Sequence, residues 1–89
     1  MGVHDGHRDR MRKRFLENEL NGFADHEALE LLLYYAIPRG DVNPLAHALM
    51  DRFGSLSGVF SAPVELLAQV KGVGTQTAVL LRLVPQIAQ

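Results

Sequence analysis

Apolar positions along the chain recur at helical intervals, and no stretch sustains the alternation of a strand. The first pattern runs from about His7 to Leu20, with Met11, Phe15, Leu16 and Leu20 facing the core and Gly22 as the C-cap glycine. The second opens on Asp25 as N-cap and carries Ala28, Leu29, Leu31, Leu32, Leu33 and Ala36 around most of its circumference. That distribution predicts the central, most buried helix. Pro38 stops it, because the residue before a proline is steered away from helical geometry.

After the polar loop Pro38-Arg39-Gly40-Asp41, Asn43 is the expected cap of a third helix with Pro44 at its first position. Leu45, Ala46, Leu49, Met50 and Phe53 form its inner face, and Gly54 ends it. Ser55 opens a short helical turn from Leu56 to Phe60. Ser61 and Pro63 start the next helix, which turns Leu66, Leu67 and Val70 inward and ends at Gly72. The last begins near Thr75 and packs Ala78, Val79, Leu81 and Leu83 or Val84; Pro85 predicts a kink, or an end at about Val84. The whole pattern predicts an all-α fold, a compact bundle of about five helices in one domain over residues 1–89.

One connection carries candidate chemistry. Gly72-Val73-Gly74 joins two apolar helical segments, and Val73 is placed to pin the turn in the core. The next helix begins with exposed amides at Gly74, Thr75 and Gln76, which lack intrahelical partners and sit at the positive end of the helix dipole. Such an end holds anions. Thr75 either caps the helix or offers its hydroxyl to a phosphate, and Lys71 adds a cation beside the turn. Ala78 is small where the two helices cross. The bland alternative is an αα-corner that uses glycine only to turn, in a protein-docking or structural hairpin.

Charge modifies this reading. The net charge is −1, from nine basic and ten acidic residues, against the strongly basic balance usual in proteins that bind DNA by bulk charge. The bases are unevenly placed, with Arg8, Arg10, Arg12, Lys13 and Arg14 clustered in the first helix. They are accessory candidates for phosphate contact, or else a solvated face whose stems pack along the core. The longest apolar run, Leu31 to Ile37, is far below the ~20 residues of a membrane span. No signal-peptide pattern opens the sequence, so the expectation is cytoplasmic.

The hairpin Val70-Lys71-Gly72-Val73-Gly74 with Ala78 is similar to the helix-hairpin-helix motif, here over about residues 62–84. More of the chain resembles the N-terminal domain of the RadC family, which carries a DNA-repair annotation. The matching stretches include Gly6-His7-Arg8 with Arg10 and Arg12, Ala24-Asp25-His26-Glu27, Ala36-Ile37-Pro38-Arg39, Pro44-Leu45-Ala46 and Phe53-Gly54-Ser55-Leu56. The resemblance implies an all-helical DNA-repair module. From the general motif, the amides of Gly72, Gly74 and Thr75 contact phosphate oxygens, with Lys71 and Gln76 nearby. The carbonyls of Ala68, Val70 and Val73 match positions that hold a monovalent cation. Full family members also carry a metalloprotease-like JAB/MPN domain with a His-x-His metal motif, a domain that is also a candidate partner. This sequence has no His-x-His and stops where that domain would begin, so neither zinc chemistry, another cofactor nor enzymatic activity is expected of it.

The remaining polar residues suggest less. His4 and His7 have helical metal-ligand spacing without further ligands, and His26 and His47 stand alone. Glu27 and Glu30 lie one turn apart, an acid/base pair in principle and a solvated helix face in the simpler reading. Arg39 and Asp41 are expected to shape their loop, and Tyr34 and Tyr35 to pack at the core edge rather than stack on bases.

Overall fold

The computed structural model describes residues 3–89, with side chains from residue 6 onward. It contains helices α1 (Val3–Asn18), α2 (Asp25–Leu33), α3 (Asn43–Phe53), α4 (Leu56–Ser61), α5 (Val64–Leu67) and α6 (Thr75–Ala88). Among the described residues there is no strand, so the fold is all-α.

α2 and α3 form the centre. Leu29 and Leu33 of α2 and Ala46 and Leu49 of α3 are buried, and Val59, Leu67, Ala78 and Leu81 complete the core from α4, α5 and α6. Burying a leucine or valine side chain contributes roughly 1.5–3 kcal/mol, so these few residues carry most of the cohesion. α1 packs on α2, while α6 packs on α4 and α5.

The helix boundaries obey local hydrogen bonding more closely than spacing alone suggests. α1 stops at Asn18 rather than Leu20, because Glu19 takes a left-handed conformation (φ 54°) and its amide closes the helix on the Phe15 carbonyl at 2.7 Å. Gly22 (φ 84°) then makes a later turn that brings Phe23 back to the core. Of the four expected core residues of α1, only Met11 is buried; Phe15, Leu16 and Leu20 are exposed, since α1 packs chiefly on α2.

Asp25 is not the cap of α2. Ala24 is, and the Glu27 carboxylate accepts its amide at 3.0 Å, one half of a capping box. Asn43 is likewise inside α3: the Asp41 carboxylate accepts the Asn43 amide at 2.9 Å, which frees the Asn43 side chain to donate to Glu30 at 3.1 Å. Gly54 closes α3 at φ 88°, and Ser55 caps α4 by accepting the Gly58 amide at 2.9 Å, both as expected.

α5 is shorter than the sequence suggests, ending at Leu67, and three-residue turns carry the chain to the hairpin; Leu66 faces outward. α6 is longer. It runs through Pro85 to Ala88, so no helix end falls at Val84. Its buried face is Thr77, Ala78 and Leu81, which turns Val79 and Leu83 to the outside.

Candidate nucleic-acid interface

The hairpin is built as a tight turn seated on α3. Val73 is buried and its amide donates to the Val70 carbonyl at 3.0 Å, which fixes the turn. Gly72 adopts φ 96°, where a side chain is strained, and its open side faces Leu45 of α3. Gly74 is different. Its backbone (φ −87°, ψ −178°) is open to any residue, and an added Cβ would meet nothing within 4 Å. No internal contact of the fold requires glycine there.

Gly74 is also the N-cap of α6, and its carbonyl accepts the Ala78 amide at 3.0 Å. No side chain caps this end. Thr75 therefore does not act as the cap; it is the first helical residue and is exposed with Lys71 and Gln76, while Thr77 is buried. The amides of the first turn thus open beside an exposed lysine, the arrangement that favours an anion. Among the three carbonyls matched to cation binding, that of Val70 already accepts the turn hydrogen bond.

The five bases of α1 divide by environment. Arg8 is 6% exposed and donates to the carbonyls of Tyr34 (3.4 Å), Ile37 (2.7 Å) and Gly40 (2.9 Å). It is a strut for the loop after α2, and the expectation that it contacts phosphate is corrected. Arg14 forks onto Glu27 at 3.1 and 3.3 Å and also donates to the Gly22 carbonyl. That hydrogen bonding raises the Arg14 pKa and lowers that of Glu27, which also accepts the Ala24 amide. Arg12 pairs with Asp9 at 3.1 Å, and Arg10 and Lys13 are exposed. α1 and the hairpin make no extended contact with each other, so the two basic elements are not one patch by packing.

The minor candidates also resolve. The Glu27 and Glu30 carboxylates do not form a solvated pair: Glu27 is held by Arg14, and Glu30 is buried against Asn43 with His26 Nε2 at 3.8 Å. His26 and His47 do not stand alone, since their rings stack at 4.5 Å across α2 and α3, a contact without any signal in the linear sequence. The His4 side chain lies outside the described residues, so the His4–His7 pair cannot be placed. Among the described residues no group of three or more His, Cys, Asp or Glu is arranged to hold a metal. Tyr34 is buried as expected, but Tyr35 is 69% exposed, against the expectation of core-edge packing. Arg39 is exposed. Sequence reasoning also missed Gly58: a Cβ there would overlap the Phe53 carbonyl oxygen, so α4 crosses the end of α3 at glycine distance.

The fold and site define a small all-helical module that presents a glycine hairpin at a helix N-terminus. Over 82 residues, 92% of the chain, it is 43% identical to the UPF0758 protein FN0909 of Fusobacterium nucleatum subsp. nucleatum, and it spans 35% of that protein's length. No family model matches the chain, and no solved structure matches it. Among the described residues no helix is long and apolar enough to cross a membrane.

Proposed function

We propose that this chain is a cytoplasmic, sequence-nonspecific DNA-binding module of a RadC-like DNA repair protein, and that it holds the phosphate backbone at the Gly72-Val73-Gly74 hairpin. The observation that carries the reading is Gly74: nothing inside the fold requires glycine there, and its bare Cα stands at the open amide mouth of α6. A glycine whose reason is not internal suits the close approach of another molecule's backbone. Exposed Lys71, Thr75 and Gln76 surround that mouth. The identity to a UPF0758 protein over most of the chain supports the RadC-like part of the reading.

Contacts to phosphate without reading of bases give affinity that falls steeply with salt and little specificity. With one hairpin and a net charge of −1, binding is at the weak end of nonspecific association, with Kd of roughly tens of micromolar or above. The test is titration of labelled duplex and branched DNA at about 50 mM salt. Gly74→Glu fits the open space and the backbone, and places a carboxylate where the phosphate sits. It is expected to abolish binding while the circular dichroism stays unchanged; equal binding by this variant and the parent refutes the proposal.

A second reading, a docking module for another protein domain such as a JAB/MPN domain, is favoured by one feature. Val79, Leu83 and Ile87 of α6 are 49%, 46% and 72% exposed along one helical stripe. Arg82 is the sole charged residue of that helix, and it is turned to the Phe60 carbonyl. This reading predicts association with that domain that Gly74→Glu leaves intact and Leu83→Asp removes.

A further inference from the structure

Arg12 is a wall shared by two clefts on the side of the molecule formed by α1 and the turn after α2. One cleft, of about 480 Å³, is polar and lined by Arg8, Asp9, Arg12, Tyr34 and Pro38. The other, of about 290 Å³, is lined by Phe15, Leu16, Leu31 and Tyr35 besides Arg12. The Arg12 guanidinium carbon stands 5.9 Å from the Tyr34 ring and 5.6 Å from the Tyr35 ring. Behind it, Arg8 lies 4.5 Å from the Tyr34 ring and is turned to the carbonyls of Tyr34, Ile37 and Gly40, so Arg12 is the more exposed cation of the two.

These features fit together only around a ligand of mixed character. A carboxylate or phosphate alone leaves the apolar groove uncovered, and an apolar chain alone leaves Arg12 with only its exposed pair to Asp9. An anion joined to a flat ring uses both. The exposed Tyr35 ring is a stacking platform, and an arginine beside an aromatic ring is the usual partner of a phosphate next to a stacked base.

We propose that the Arg12–Tyr35 face binds an unpaired nucleotide, with its phosphate on Arg12 in the polar cleft and its base against Tyr35 in the apolar groove. Asp9 gives way readily: it is 81% exposed, and a surface pair of this kind is weak. The phosphate then replaces one carboxylate on Arg12 with a stronger forked acceptor. Bases within a duplex stack on each other and are closed to Tyr35, so the site selects unpaired strands, and it does so without sequence preference because every base has a π face. The site lies on α1, α2 and the turn after it, not on α5 or α6, so it stands whether or not the hairpin binds a duplex.

Tyrosine emission provides a direct probe, because the chain has two tyrosines and no tryptophan. A fluorescence and anisotropy titration of the whole chain would use labelled oligothymidylate, thymidine 5′-monophosphate, inorganic phosphate and an acidic phenylalanine-containing peptide. Oligothymidylate is expected to quench the emission. Tyr35→Ala is expected to weaken its binding about fivefold or more. Tyr35→Phe should keep the affinity and lose most of the quench, and Arg12→Gln should weaken binding and flatten its salt dependence. Gly74→Glu should change none of this. Tighter binding of the oligonucleotide than of the monophosphate identifies a strand as the source of the nucleotide, and equal binding identifies a free nucleotide. Unchanged affinity in Tyr35→Ala overturns the proposal, as does preference for the peptide over both nucleotides. Loss of duplex binding alone counts against the hairpin reading and leaves this one standing.

Discussion

Arg8 on α1 donates a 2.7 Å hydrogen bond to the carbonyl of Ile37, a residue beyond the end of α2. The same guanidinium takes the Gly40 carbonyl at 2.9 Å, so one side chain ties the first helix to a loop 32 residues away in sequence. Its ring neighbour is Tyr34, and the charge is compensated by carbonyl dipoles and a π face rather than by a carboxylate among the described residues.

Removing this strut takes the donor from one buried carbonyl, that of Tyr34, and from two partly buried ones, those of Ile37 and Gly40. Arg8→Ala is expected to lower stability by about 3 kcal/mol, since hydrogen bonds to charged groups are each worth about 1.5–3 kcal/mol. Arg8→Lys restores little, because an ammonium on a flexible stem does not reproduce the planar fork. Urea unfolding followed by circular dichroism measures both; full stability in Arg8→Ala contradicts the role.

The glycines separate by cause. Gly58→Ala forces a Cβ into the Phe53 carbonyl and is expected to cost about 3 kcal/mol or more. Gly72→Ala, at φ 96°, should cost about 1–2 kcal/mol from left-handed strain. Gly74→Ala should cost only about 0.5 kcal/mol, from the N-cap preference for glycine, and lower DNA affinity, because its Cβ meets only the open mouth of α6. A midpoint for Gly74→Ala that falls as far as that of Gly72→Ala would show an internal role for this glycine.

Tyr34 buries a hydroxyl that has no hydrogen-bond partner among the described residues. Tyr34→Phe deletes the unsatisfied group and keeps the ring, so it is expected to stabilise by roughly 1 kcal/mol, a thermal shift of several degrees at this size. Burial, reinforced by the charge of Glu30, raises the Tyr34 pKa above its ordinary value. A raised pKa means that the unfolded chain ionises first. The associated stability is therefore complete below about pH 10 and is lost as pH rises through the folded value. The phenylalanine variant should lack that part of the alkaline loss in a pH series of melting curves.

Glu27 holds the opposite sign. Arg14 and the Ala24 amide lower its pKa in the folded chain. Its stabilising contribution is complete above the ordinary glutamate range near pH 4.3 and disappears as pH falls through the lower folded value. Glu27→Gln should flatten the acid limb of the stability profile and cost less than about 1 kcal/mol at neutral pH, because the pair is partly exposed. An unchanged acid limb argues against the pairing.

Much of the fold was legible in the sequence because it is written in local chemistry. Helical periodicity places α2 and α3, Gly54 and Ser55 fix the α3–α4 junction, and Val73, the apolar residue between two glycines, pins the hairpin. Caps were legible only by kind. Asp25 and Asn43 each lie one residue inside the helix they seemed to open, because a residue two or three positions away supplies the hydrogen bond instead. The basic helix read as one cluster, yet its members took different tasks once α2 supplied carbonyls to Arg8 and a carboxylate to Arg14.

The sequence by itself determined the all-helical class, the order of the helices and the turn at Gly72-Val73-Gly74, since these depend on spacing, capping types and backbone freedom within a few residues. Tertiary structure alone decided that Arg8 is a strut, that His26 stacks on His47, that Gly58 admits no side chain and that Tyr35 faces solvent. Each of those outcomes depends on what another helix brings alongside, and burial and partner geometry across the chain leave no periodic mark in the sequence.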